Sequence, residues 1–301
     1  MISNDKIAKL LNLFDPSNLS YANQDFKINN IDNKIKDELV LEIIKMVYHS
    51  PLKESGPHRL PEWEKGWSEN LEKLNQTEDL SSLIPGYFSN NVICRLGSEF
   101  YLAESPQTEP DLLRVVQIDL LKKFSLFASH VYEFGCGSGN NLRNIRDALP
   151  GSKIIGLDWA KSSQEILNKM IDKGLFSNLE AANFNFFEPD YNFHIEDNST
   201  VLTCAALEQV GEKWELFLDF LIKKSPSLII NIEPISELLD NSILLNFLSS
   251  EYGKRRNYLK GYYHGLLELE NNNKIKIVYT NASALGSKYI NGYSIVVWRV
   301  C

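Results

Sequence analysis

Cysteine is scarce in this sequence, and the four present, Cys94, Cys136, Cys204 and Cys301, stand apart with no C-x-x-C pair and no histidines at metal-ligand spacing. They point to neither a disulfide framework nor a zinc site, and free thiols are expected. Long apolar runs are missing as well. None approaches the roughly 18 residues that a membrane span requires. The opening stretch "MISNDKIAKLLNLFDPSNLS" breaks its apolar pieces with Lys, Asp and Pro, so the core of a secretory signal is lacking and the cytoplasm is the default compartment. Positive charge is in deficit: 31 Lys and Arg face 39 Asp and Glu, a formal net charge of -8. That balance disfavours a broad nucleic-acid surface, because affinity for a polyanion comes largely from Lys and Arg meeting phosphates. Internal repeats and low-complexity tracts are absent too.

What is present suffices for a globular core, with 44% hydrophobic residues in 301, a length that suits one large domain or two small ones. Residues 1–108 read as helices and loops. "IKDELVLEIIKMVYH" sets Leu39, Ile43, Met46 and Val47 on one helical stripe. "LPEWEKGWSENL" places Trp63 and Trp67 one helical turn apart, a spacing expected of a buried anchor between helices more than of a ligand platform. "EPDLLRVVQIDLLKKF" opens a helix with Pro110 near its start and leads into a different pattern. From there to the end, apolar runs such as "HVYEF", "KIIGLD", "TVLTCAAL" and "SLIINIE" alternate with helical segments, which argues for a parallel sheet covered on both faces. The last two runs, "KIKIVYT" and "YSIVVWRV", have no helix between them and suggest an antiparallel hairpin at the sheet edge.

The stretch "VYEFGCGSGNNL" stands where the first strand of that sheet turns into its helix, and in such sheets ligands bind beyond the carboxyl ends of the strands. Gly135, Gly137 and Gly139 leave the backbone open to close approach. A dinucleotide site uses G-x-G-x-x-G, but here the third glycine comes one residue early and Asn140 follows it, which counts against NAD. Glu133, just before the glycines, would repel a pyrophosphate and suits a ligand bearing an ammonium group. Asp158 ends the second strand in "IIGLDWA", where a carboxylate can accept from both hydroxyls of a ribose, and Trp159 beside it can cover an adenine face.

With these residues the chain resembles the class I S-adenosylmethionine-dependent methyltransferases, whose first motif ends a strand in an acidic residue and continues G-x-G-x-G, as "EFGCGSG" does. The resemblance covers about residues 131–300. It implies an α/β fold with a seven-stranded, mostly parallel, Rossmann-like sheet whose last strand is antiparallel, here behind a helical amino-terminal region (residues 1–108, then 109–301). It further implies S-adenosylmethionine as cofactor, with Glu133 at the methionine amino group, Gly135, Gly137 and Gly139 in the turn, and Asp158 on the ribose. The slot where the family often carries an acidic residue near the adenine holds Asn185, followed by Phe186 as adenine contact. Cys136, inside the motif, reads as a small filler, since no base is placed beside it.

The acceptor side shows fewer signals. "AALEQVGEKW" lacks both the D/N-P-P-Y signature of nucleic-acid amino methylation and the strand-end aspartate of metal-dependent catechol-type relatives. "HIED", residues 194–197, reads as a solvated loop, so no metal is expected. Glu208 and Glu233 follow the fourth and fifth strands and are candidates for acid-base work, with His264 a third and Tyr262 and Tyr263 as neighbours. The expectation is a methyltransferase for a small-molecule acceptor of carbohydrate-like or other natural-product type, capped by its amino-terminal region, with no nucleic-acid or membrane partner. The competing expectation is a regulatory protein that keeps fold and cofactor without acceptor chemistry.

Overall fold

A computed structural model describes residues 1–282 and 284–301. In chain order the elements are α1 (Asn4–Leu10), β1 (Ile28–Asn30), α2 (Asn33–His49), α3 (Leu60–Thr77), β2 (Ile93–Leu96), β3 (Glu99–Ala103), α4 (Thr108–Phe124), β4 (His130–Phe134), α5 (Asn140–Ala148), β5 (Lys153–Asp158), α6 (Lys161–Asp172), β6 (Leu179–Asn183), β7 (Ser199–Cys204), α7 (Glu215–Lys224), β8 (Leu228–Glu233), α8 (Leu244–Arg255), α9 (Tyr262–Asn271), β9 (Ile275–Asn281), β10 (Leu285–Ser287) and β11 (Ser294–Val300). Seven strands form one sheet in the order β6-β5-β4-β7-β8-β11-β9, and only β11 runs against its neighbours. This is the α/β architecture expected from the alternating pattern, including the antiparallel hairpin at the edge.

The central strands read as nearly continuous apolar runs because both of their faces are covered. Their two-residue period sorts them between two cores. Val131, Ile154, Leu202, Ile230 and Val297 face one, with Leu112, Val115, Leu142, Ile145 and Leu167 from α4, α5 and α6. Tyr132, Ile155, Val201, Ile229 and Trp298 face the other, with Phe217, Phe220 and Leu266 from α7 and α9. Helix α4 is buried on almost every side. Its buried polar side chains are paired: Asp111 accepts from Asn23, Asp119 from Asn18, and Gln117 from Asn144.

The amino-terminal region departs from the helices and loops expected of it. Strands β1, β3 and β2 pair antiparallel, and a fourth strand, β10, joins them from inside the carboxyl-terminal hairpin. The signal was short: "ICRL" and "EFYLA" are joined through Gly97, which adopts φ +60° in a tight turn. Ile2, Ile7, Leu11, Leu74 and Leu83 share a single buried cluster with the sheet and its helices. No helix among the described residues is long and apolar enough to cross a membrane.

Candidate functional site

After β4 the chain turns through Gly135–Gly139 into α5, with φ of +74° at Gly135 and +54° at Gly137. A β-carbon on Gly135 would collide with that of Ala206, and one on Gly137 would stand 2.7 Å from Cζ2 of Trp67. Both positions therefore require glycine for conformation and for space. Gly139 caps α5, and a β-carbon there would meet Leu167 of α6 at 3.1 Å, so it serves the packing of α5 against α6 and lines neither cavity.

Two carboxylates flank this turn. Glu133 is fully buried, its Oε1 accepts from Asn141 Nδ2 at 2.8 Å, and its Oε2 has no partner. Burial pushes the group up to about 8. Asp158 accepts the backbone N–H of Gly137 at 2.9 Å and that of Ala160 at 2.8 Å, which fastens the end of β5 to the glycine turn. Burial raises its carboxyl to about 6.

Two cavities open over these strand ends and share Gly135, Ala205, Trp63 and Trp67. The smaller, about 60 Å³, is an aromatic slot walled by Trp63, Trp67, Trp159, Phe186 and Phe187, with Asp158 and Asn185 at its rim. Asn185 Oδ1 accepts the backbone N–H of Phe187 at 3.0 Å, so its amide is engaged in a local turn. The larger, about 360 Å³, is a chamber reaching from Gly137 and Asn141 to Glu208, Arg256, Tyr258 and Tyr293. A buried carboxylate with a free oxygen, a side-chain-free floor and an aromatic slot beside an aspartate fit an ammonium-bearing nucleoside ligand: Glu133 behind Asn141 for the ammonium, Asp158 for the ribose, Trp159 and Phe186 for the base.

Of the acid-base candidates, the structure brings Glu208 to the chamber and leaves the other two outside its lining. Burial, and then the charge of Glu233, pushes Glu208 up to about 8, while a hydrogen bond from Gln209 Nε2 at 2.8 Å, followed by Arg256 and Tyr258, favours its ionised form. Glu233 is fully buried and accepts the backbone N–H groups of Ala206, Leu207 and Glu208 at 3.1–3.2 Å. It is spent on the short helical turn that carries Glu208, a role its place at a strand end did not reveal. His264 is exposed on α9, away from both cavities, and Tyr262 is buried with its hydroxyl on Asn231 Oδ1 at 2.7 Å. Residues 194–197 are a loop whose His194 and Glu196 lie exposed at 3.5 Å, and no group able to hold a metal ion occurs among the described residues.

Sequence reasoning missed several chamber residues. Trp63 and Trp67 are half-buried and stacked at 5.7 Å across the site, so the pair expected to anchor helices forms a wall instead. Glu109, in the first turn of α4, is buried and held by Asn91 Nδ2 at 2.7 Å and the Tyr293 hydroxyl at 3.2 Å, and burial raises it to about 7. Tyr87 also lines the chamber while keeping 62% of its surface exposed. Arg256 and Tyr258 stand a few residues before Tyr262, Tyr263 and His264, the candidates picked from this part of the sequence.

The decisive feature of the scaffold is the strand order, with one antiparallel strand inserted between β8 and β9 and the glycine turn at the end of the central strand. The fold is that of the class I methyltransferases. No protein-family model matches the chain, and no curated protein matches it. Solved structures that it resembles include an O-methyltransferase from neocarzinostatin biosynthesis, in complex with S-adenosylmethionine and a naphthoic acid, at 15% identity and TM-score 0.44. That match covers 63% of this chain and 57% of the other, so the chain spans little more than half the length of that enzyme. The methyltransferase domain of a bacterial Hen1 matches at 16% identity and TM-score 0.46, over 62% of this chain and 97% of that one. A small RNA methyltransferase, HEN1, matches at 20% identity and TM-score 0.45, over 61% of this chain and 25% of that one. Common to the class I fold is the sheet; the amino-terminal wall of this site lies before it in the chain.

Proposed function

We propose that this chain is an S-adenosylmethionine-dependent methyltransferase for a small-molecule acceptor of carbohydrate-like or other natural-product type. The observation that carries the reading is the buried Glu133 beneath the glycine turn, whose Oε2 has no partner in the protein. An unpaired buried carboxylate is costly, and an ammonium group would relieve it. Glu133 and Asn141 would take the amino group, Gly135 and Gly137 the methionine chain, Asp158 the ribose, and Trp159, Asn185 and Phe186 the adenine.

The bound cofactor supplies a methyl group already activated on a sulfonium, so positioning accounts for much of the catalysis. For a hydroxyl acceptor, Glu208 takes the proton from the attacking oxygen. A carboxylate with a pKa near 8 is matched to that task around neutral pH. Arg256 and Tyr258 steady its charge, and Glu233 holds its backbone in place. Tyr87, Tyr258 and Trp67 offer faces and hydroxyls suited to a compact polar acceptor.

Calorimetry with S-adenosylmethionine, S-adenosylhomocysteine and NAD tests the cofactor, with binding of the first two and none of the third expected. Tight NAD binding without S-adenosylmethionine binding would overturn the reading. Release of S-adenosylhomocysteine with an acceptor panel then separates an enzyme from a protein that binds the cofactor without acceptor chemistry.

A further inference from the structure

We infer that α3 is a lid over the cofactor, with Trp63 and Trp67 as its contact surface and Glu64 as its latch; this rests on the S-adenosylmethionine reading. The two indoles line both cavities, stacked with 18° between their planes, and Trp67 lies directly against Gly137. Trp67 thus covers the glycine floor over which the methionine chain would pass, with no room for a chain between them. One wall must move to admit it. The inner wall, Gly135, Asp158 and Phe184, is built on strand ends and core, whereas α3 has only Asn70 and Leu74 buried in 18 residues. The outer wall is the one that gives.

The contacts along α3 show where it is fixed and where it is released. Toward its carboxyl end, Asn70 Nδ2 donates to the carbonyls of Ser82 at 2.7 Å and Ile84 at 3.1 Å, and Leu74 is fully buried. Toward its amino end the hold is Glu64, whose carboxylate accepts the backbone N–H of Lys161 at 2.5 Å and of Ser162 at 3.0 Å, while Ser162 Oγ donates to its carbonyl at 3.2 Å. These N–H groups open α6, directly after the Asp158 corner, where a carboxylate also meets the positive end of the helix dipole. Burial opposes ionisation of Glu64, but the bonds from Ser162 and Lys161 hold it below the usual carboxylate range. The latch is thus a charged contact on a half-exposed surface, which can open at a cost that a few broken hydrogen bonds set. Beyond the latch the chain is tied to the acceptor side, since Ser55 donates its N–H to the Arg256 carbonyl at 2.7 Å. Closure over the cofactor therefore also sets the loop that carries Arg256 and Tyr258.

S-adenosylhomocysteine and tryptophan emission test this by stopped flow on the full chain. Binding should change the emission of the wild type, and a Trp63→Phe/Trp67→Phe variant should lose most of that change. Glu64→Ala should release S-adenosylhomocysteine at least about fivefold faster, with association also faster, so that Kd moves less than either rate. Lys161→Pro provides the same test from the other side, because proline removes one latch donor yet suits the first position of a helix. Should either latch variant fail to fold, the other decides. Wild-type exchange rates in a folded latch variant would overturn the lid while leaving the cofactor assignment standing. Absence of any S-adenosylhomocysteine binding to the wild type would remove both.

Discussion

Asp158 Oδ2 accepts the backbone N–H of Gly137 at 2.9 Å, so the carboxylate that ends one strand holds the turn that follows its neighbour in the sheet. Its second oxygen takes the N–H of Ala160. A carboxylate has further lone pairs to offer a ribose, but it also shapes the floor on which the cofactor lies. Asp158→Ala should weaken S-adenosylmethionine and S-adenosylhomocysteine binding by at least about tenfold, since hydrogen bonds to a charged group contribute on the order of 1.5 kcal/mol or more each. Calorimetry reads this directly, and undiminished affinity would remove Asp158 from the site.

Glu208→Gln keeps the shape of the chamber and removes the base. Turnover on the true acceptor should fall by roughly 10²-fold or more, while cofactor affinity stays nearly intact. Steady-state kinetics and calorimetry on one preparation check both halves. A smaller loss, partly in the acceptor's KM, would assign Glu208 to orientation, and unchanged kinetics would take it out of the site.

Glu233 and His264 should separate cleanly from Glu208. Glu233→Ala strands three backbone N–H groups, one buried and two part-buried, and should lower stability by about 3 kcal/mol, read as a fall in Tm, with loss of activity following from the displaced turn. His264→Ala, at an exposed position, should leave Tm, cofactor affinity and turnover unchanged. A selective loss of turnover in the latter variant would restore it as a candidate.

Burial leaves Glu133 and Glu208 near 8 and Glu109 and Glu233 near 7, all above the unfolded carboxylate value. Within that window the native state holds protons that the unfolded chain has released. Their contribution to stability is therefore complete below about pH 4.5 and is lost as pH rises through 7 to 8. Thermal melts of the protein alone should show Tm falling over this range, and a rise would contradict the assignment. Because an ammonium favours ionised Glu133, S-adenosylmethionine should bind more tightly as pH increases toward 8.

The sheet was legible because its strands are buried on both faces and separated by helices, so runs such as "TVLTC" and "LIINIE" carry a mostly apolar signal. Gly135, Gly137 and Asp158 were legible because turn geometry and strand ends constrain residue type locally. The amino-terminal strands were not, since three- to five-residue strands completed by β10 depend on a partner far along the chain. Glu233 and Glu208 look alike in sequence, each just past a strand. What divides them is that the Ala206–Glu208 backbone turns its N–H groups toward one carboxylate and away from the other. Trp63 and Trp67 carry helical spacing whether they plug a core or wall a cavity, and only tertiary placement distinguishes the two.

The pairing of β10 with β2 has a consequence for how the chain is made. Leu285 lies opposite Leu96, so the small sheet gains its last strand only after the whole stretch from β2 to residue 285 has been synthesised. Until then β2 presents an open edge whose backbone groups are available to other chains. Contacts this distant in sequence form slowly, because the intervening loop must close first. A chain shortened before residue 285 would leave that edge permanently uncovered, so carboxyl-terminal truncation should produce aggregation rather than a smaller soluble unit.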